Sequence, residues 1–205
     1  MIKNIIFDIG QVLVHFRYHE YMKELGFSEE IQDVFCKKIV ENPLWSEFDL
    51  GIRETEDIIS EMKSRVPEYT AEADLFFDRI DDIVESFPYA RSWIADLKQR
   101  GYNVYLLSNY PRDMFDMHER DKFNFTDLVD GKIISGHVKM TKPNPEIYKL
   151  LCKTYGLKPE ESIFLDDRKE NIEAADKLGM HTILFKTYEQ ARDELNYKLK
   201  YDEGI

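Results

Sequence analysis

Residues 1–16 read MIKNIIFDIGQVLVHF, and the fold turns on Asp8, where the apolar run Ile5-Ile6-Phe7 stops at a carboxylate. Three later runs repeat the pattern: Val104-Tyr105-Leu106-Leu107 before Ser108, Ile163-Phe164-Leu165 before Asp166, and Thr182-Ile183-Leu184-Phe185 near the end. Short, continuous runs of β-branched and aromatic residues suit strands buried on both faces, as in a parallel sheet. Helical patterns lie between them. One spans Ala90 to Arg100 and stops at Gly101; another starts after the N-cap Asn144 with Pro145 at its first position. A third runs from Lys169 to Leu178, with Gly179 placed to end it in a left-handed turn. Strand alternating with helix predicts a doubly wound α/β domain over residues 1–15 and 88–205.

The stretch between, residues 16–87, reads differently. From Tyr18 to about Phe87 it is helical in period and acidic, without a convincing strand. Gly26, Pro43, Gly51 and Pro67 divide it into several short helices, so it is expected to be an insert that closes over the sheet as a small cap. The polar tail from Glu189 to Ile205 is expected to end in a surface helix. No repeats or low-complexity tracts interrupt this plan.

Composition narrows the function. The 205 residues are 43% hydrophobic and 33% charged, with a formal net charge of -12. That is an ordinary soluble composition, and its sign argues against a nucleic-acid partner, which needs a basic stripe. A small anionic substrate remains compatible where a few cations focus positive charge. Cys36 and Cys152 lack metal-ligand spacing and read as reduced structural thiols. No apolar run reaches the ~20 residues that span a bilayer. Asp8 interrupts the N-terminal apolar stretch and no small-residue cleavage site follows it, so no signal peptide is expected. The expectation is a cytoplasmic protein with no membrane partner.

Ligands of open α/β sheets bind at the carboxyl ends of the strands. Here those ends carry Asp8, Ser108-Asn109 and Asp166-Asp167, and Lys142 sits in a Lys-Pro-Asn-Pro turn before a helix. Singly each has a bland reading as a turn, a cap or a solvated loop residue. Together they bring three acids, a hydroxyl and an ammonium to one crevice. Three carboxylates repel one another, so a hard divalent cation is their natural partner, and Mg²⁺ suits a site with few protein ligands. The cation, Lys142 and Ser108 would then surround a phosphoryl group. Hydrolysis of a phosphate monoester needs up to ~10²¹-fold acceleration, which calls for a nucleophile inside such a charge clamp.

These residues resemble the motifs of the haloacid dehalogenase (HAD) superfamily. FDIGQVLVHF is similar to its first motif, LLSN to the second, KPNPEIY to the third and FLDDRKENI to the fourth, in order along nearly the whole chain. The resemblance implies a Rossmann-like core with a helical cap, and WSEFDLGIRETE resembles a cap helix-turn. It implies Asp8 as nucleophile, Ser108 and Lys142 as phosphoryl ligands with Asn109 beside them, and Mg²⁺ on Asp8, the Gly10 carbonyl, Asp166 and Asp167. Of the last pair, Asp167 is the better candidate for direct ligation. The implied substrate is a small phosphorylated metabolite.

One position departs from the pattern. Phosphatases of the family carry a second Asp two residues after the nucleophile, as general acid and base; here that position is Gly10. Asp-Ile-Gly-Gln-Val instead resembles a subgroup of sugar-phosphate phosphatases that includes α-D-glucose-1-phosphate phosphatase. A missing acid forfeits ~10²–10⁴-fold in rate. His15 or a metal-bound water is a candidate replacement, although the bland reading has His15 packing at the first strand's end. The competing functions are a dehalogenase acting on carbon, which needs no metal, a sugar-phosphate mutase, which needs the acid that Gly10 replaces, and a weakly catalytic binding protein. Trp45, Phe48 and Arg53 are the insert residues considered for the crevice, with packing in the core as the bland reading for the aromatics.

Overall fold

The four apolar runs form strands, and a computed structural model describes residues 1–202. The chain begins with β1 (Asn4–Phe7) and β2 (Val14–Phe16). Helices α1 (Tyr18–Glu24), α2 (Glu29–Phe35), α3 (Pro43–Leu50), α4 (Thr55–Ser64) and α5 (Thr70–Asp78) follow, with a π-helical stretch, Cys36–Val40, continuing α2. After β3 (Val84–Ser86) come α6 (Ala90–Gln99), β4 (Asn103–Ser108), α7 (Arg112–Asp121), β5 (Gly131–Ile134) and the single turn α8 (Ser135–Val138). The chain then forms α9 (Pro145–Tyr155), β6 (Ser162–Asp166), α10 (Lys169–Lys177), β7 (His181–Leu184) and α11 (Tyr188–Asp202).

Five strands form a parallel sheet in the order β5-β4-β1-β6-β7. Phe7 at the end of β1 pairs with Leu106 on one side and Leu165 on the other, so Asp8, Ser108 and Asp166 arrive at the same edge. Successive side chains of a strand point to opposite faces. Ile5 and Phe7 accordingly join one apolar cluster, with Trp93 and Leu97 of α6, while Ile6 joins the other, with Tyr148 and Leu151 of α9. Both faces are covered, which is why the strands read as unbroken apolar runs.

Three strands were not legible: β2, β3 and β5, of which β2 is only three residues long. β3 is three residues long, Val-Glu-Ser, too short for periodicity to register, and it pairs antiparallel with β2 at the base of the insert. β5 is an edge strand whose first two residues are only half-buried, and it starts at a glycine. The statement that residues 18–87 hold no strand is therefore corrected at Val84–Ser86. The tail helix is more than a surface feature, because Ala191, Leu195 and Leu199, spaced four apart, are all buried. The last three residues of the expected tail helix lie outside the described residues. Among the described residues no helix is long and apolar enough to cross a membrane.

The breakers in the insert act as predicted. Asn42 caps α3, its side-chain oxygen accepting the Leu44 N–H at 3.0 Å, with Pro43 at the first helical position. Gly51 ends α3 with φ of +66° and lies against Gly136 of α8, where an added Cβ would stand 2.5 Å from the Gly136 carbonyl oxygen. Gly51→Ala meets both the left-handed penalty and this close approach, so it should destabilise the protein by about 1–3 kcal/mol. A denaturant midpoint equal to that of the parent would show that the junction between α3 and α8 does not constrain the insert.

Candidate active site

The parallel register makes the site. Asp8 continues β1, its backbone N–H donating to the Leu165 carbonyl at 2.9 Å, and its side chain is buried. Asp8 Oδ1 accepts from the Ile9 N–H at 2.7 Å and from the Ser108 hydroxyl at 2.7 Å. The same oxygen lies 2.9 Å from Lys142 Nζ. Among the described residues none donates to Oδ2. Lys142 is itself buried, and a buried ammonium persists only where carboxylates compensate its lost hydration. It has two, the second being Asp166, with Oδ2 at 2.6 Å.

Asp166 is fully buried and saturated. Its Oδ1 accepts from the Arg168 N–H at 2.8 Å and from Asn171 Nδ2 at 2.9 Å, and its Oδ2 accepts from Asn171 Nδ2 at 3.0 Å besides Lys142. Asn171, in the first turn of α10, was missed by the sequence reading, although it lies within the quoted FLDDRKENI. Asn109 does something other than expected for a ligand alone. Its amide clamps the turn that carries Lys142, donating to the Lys142 carbonyl at 2.9 Å and accepting the Lys142 N–H at 2.7 Å. It also lines the crevice.

Oxygens of Asp8, Asp166 and Asp167 lie within 4.8 Å of one another. Three carboxylates against one ammonium form the hard, anionic donor set that fits Mg²⁺. Burial pushes the Asp8 carboxyl up to about 7, with Asp166 and Asp167 adding to the shift and Lys142 opposing it. Burial and then Asp166 raise Asp167 also. Burial works against the charge of Lys142, but Asp8 and Asp166 outweigh it and raise its pKa. Asp8 and Asp167 thus resist the charge of their neighbours, a repulsion that a bound cation reverses. Gly10 borders the same crevice, next to Asp8.

The crevice encloses about 200 Å³ above these groups. Its outer wall includes Trp45 and Asp49 of α3, Phe16 of β2, Val84 of β3 and Met114 of α7. Of the three insert residues considered, only Trp45 reaches it. Phe48 is in the core, and Arg53 pairs with Glu47 at 3.2 Å and Glu61 at 2.9 Å on the surface of the insert. His15 turns away: Val14 and Phe16 line the crevice, so the residue between them faces the other side of β2 and stacks on Phe87 at 5.7 Å.

Asp49 is a second residue that sequence reading missed. It is four residues after Trp45 and so on the same helical face. The Ser135 hydroxyl donates to its backbone carbonyl, fixing the end of α3 to the core. Burial, followed by the charge of Asp8, pushes its carboxyl up to about 7, against the pull of Lys142 and Arg168. The available signal was an acid on the crevice face of WSEFDLG, beside an aromatic already under consideration.

The model of the haloacid dehalogenase-like hydrolases matches residues 2–179. The chain is 27% identical over 209 residues to a D-ribitol-5-phosphate phosphatase of Bacteroides thetaiotaomicron, covering 95% of this chain and 97% of that one. It is 28% identical over 183 residues to the sesquiterpene phosphatase astK of Aspergillus oryzae, covering 87% of each. Among solved structures, the HAD family enzyme bt-2542 of Bacteroides thetaiotaomicron is similar with a TM-score of 0.73 at 25% identity, over 91% of this chain and 95% of that one. That enzyme has also been solved in complex with magnesium and inorganic phosphate. The four motifs, the parallel sheet that gathers them and the match across most of the chain agree: the protein belongs to the haloacid dehalogenase-like hydrolase family.

Proposed function

We propose that the protein is a Mg²⁺-dependent phosphatase that transfers the phosphoryl group of a small metabolite, a sugar phosphate in the first instance, to Asp8 and then to water. The observation that carries this reading is the buried Lys142 ammonium between Asp8 and Asp166, at 2.9 and 2.6 Å, beside a carboxylate cluster open to a crevice. Residues 16–87 act in it as a cap over a core of residues 1–15 and 88–205. Asp8 attacks phosphorus in line with the leaving oxygen. The Lys142 ammonium and the Ser108 hydroxyl bind phosphoryl oxygens, and Asn109 holds the Lys142 turn in register. Asp8, the Gly10 carbonyl and Asp167 would hold Mg²⁺ directly, and Asp166 would hold its neighbours in place. When bound, Mg²⁺ supplies charge neutralisation at the phosphoryl oxygens. The relatives include a D-ribitol-5-phosphate phosphatase and a sesquiterpene phosphatase, and Trp45 offers a face on which a sugar or hydrocarbon skeleton can stack. The free thiols Cys36 and Cys152 agree with a cytoplasmic setting.

The test is phosphate release from a panel of sugar, polyol, aryl and prenyl phosphates, with Mg²⁺ and with excess chelator. Chelation should remove activity. Full activity in chelator would end the reading, and halide release from a haloacid without metal would replace it with the dehalogenase. Saturable binding of a sugar phosphate without turnover would indicate the binding protein.

The two acids of the fourth motif should separate in the same assay. Asp166 already spends both oxygens on Lys142, Asn171 and a backbone N–H, whereas Asp167 is partly exposed. Asp167→Ala should therefore raise the Mg²⁺ concentration needed for half-activation more than Asp166→Ala does. Asp166→Ala should instead lower stability by about 1–3 kcal/mol, through the buried donors it leaves unpaired. Equal Mg²⁺ dependence of the two variants would contradict this division.

A further inference from the structure

Phosphoryl transfer to Asp8 expels an oxygen that needs a proton, and hydrolysis of the aspartyl-phosphate needs a base for the attacking water. Gly10 offers no side chain for either task, and His15 faces away from the crevice. Among the described residues three carboxyls line the crevice: Asp8, Asp167 and Asp49. Asp8 is the nucleophile and Asp167 belongs to the cation cluster, so Asp49 is the one left over.

We infer that Asp49, carried by α3 of the cap, is the general acid and base that replaces the carboxylate missing at Gly10. The inference rests on the phosphatase reading. The residue is held in place through its backbone: the Ser135 hydroxyl binds its carbonyl, and two residues on, Gly51 packs against Gly136. Its carboxylate, by contrast, accepts no hydrogen bond from any described residue, although it lines an enclosed crevice. A carboxyl so placed, with its backbone fixed and its side chain free, is available to a substrate oxygen.

The steps balance. In the first, an Asp8 oxygen bonds to phosphorus, the ester P–O bond breaks, and the Asp49 carboxylic acid gives its proton to the departing oxygen. In the second, the Asp49 carboxylate takes a proton from water as that water bonds to phosphorus. The Asp8–phosphorus bond then breaks, releasing phosphate and restoring the acid. The groups facing Asp49 are Asp8 after β1, Tyr110 after β4, Lys142 before α9 and Arg168 before α10. Enclosure and then the Asp8 charge push the Asp49 carboxyl up against the pull of the two cations.

A substrate ligand at Asp49 and a proton donor at Asp49 differ in their dependence on the leaving group. Asp49→Asn keeps a hydrogen-bonding side chain of the same size but cannot transfer the proton. With alkyl phosphates kcat/KM should fall ~10²–10⁴-fold. With p-nitrophenyl phosphate, whose leaving group needs no proton, the first step should persist, giving a stoichiometric burst of nitrophenolate followed by slow dephosphorylation. Asp49→Glu should recover part of the alkyl activity. The core position can also be refilled: Gly10 has no left-handed backbone, and a Cβ there meets no atom within 4 Å. Gly10→Asp in the Asp49→Asn background should then restore turnover of alkyl phosphates. Equal losses for aryl and alkyl phosphates without a burst, or an effect confined to KM, would overturn the role of Asp49 and leave the phosphatase intact. No phosphate release from any ester by the unmodified protein would overturn the phosphatase reading and this inference with it. The melting temperature of each variant separates either result from misfolding.

Discussion

Asp8→Asn should abolish phosphate release while leaving the fold intact. The amide occupies the same volume at the end of β1 but is no nucleophile, and loss of a covalent nucleophile costs on the order of 10⁶-fold in kcat. Stability should change little, because two effects oppose each other. The substitution removes one partner of Lys142, but it also removes a carboxyl that burial, Asp166 and Asp167 already discourage from ionising. Lys142 keeps Asp166 at 2.6 Å. Phosphate release and thermal melting, measured on the same preparation, check both halves. More than a trace of activity in a correctly folded Asp8→Asn variant would rule out the covalent mechanism.

Lys142→Met should produce the largest loss of stability of any change at the site. It leaves Asp8 and Asp166 buried without the ammonium that sits 2.9 and 2.6 Å from them, and breaking a buried ion pair from one side costs about 3–5 kcal/mol. Mg²⁺ should recover part of that stability, because a bound cation neutralises the same carboxylates. Activity should fall in kcat by ~10²–10³-fold if, as proposed, Lys142 binds charge that redistributes in the transition state. Melting with and without Mg²⁺ and steady-state kinetics test this directly. A melting temperature that is unchanged without metal, or a loss confined to KM, would reduce Lys142 to a ground-state contact.

How much of this was legible depended on how far apart the cooperating residues lie. Asp8, Ser108 and Asp166 could be read because each ends an apolar run, and a parallel sheet brings strand ends to one edge. Lys142 could be read from the Asn144-Pro145 helix start, which places it in the turn just before α9. Asn171 could not, and Asp49 only as an acid on the helical face of Trp45. Asn171 matters only because the first turn of α10 sets its amide against both oxygens of Asp166. Asp49 matters at the site because α3 meets the core at Gly51, Gly136 and Ser135, the last contact spanning 86 positions, which no local periodicity encodes. β5 escaped for a related reason. Its glycine, Gly131, lies where a side chain would collide with the Tyr155 ring, so the strand is specified by packing and not by a run of apolar residues.

The placement of Trp45 gives the protein its own optical probe. The chain has two tryptophans. Trp93 is 4% exposed and meets Phe7 edge-on at 4.8 Å, so its emission reports the integrity of the core. Trp45 stands in the crevice wall, partly exposed, on the same helix as Asp49. With Trp93 replaced by Phe, tryptophan fluorescence, excited selectively over the tyrosines, would come from the mouth of the site alone. Its intensity and wavelength would then follow the approach of a phosphate ester, or a movement of α3 over it, without any label or any turnover.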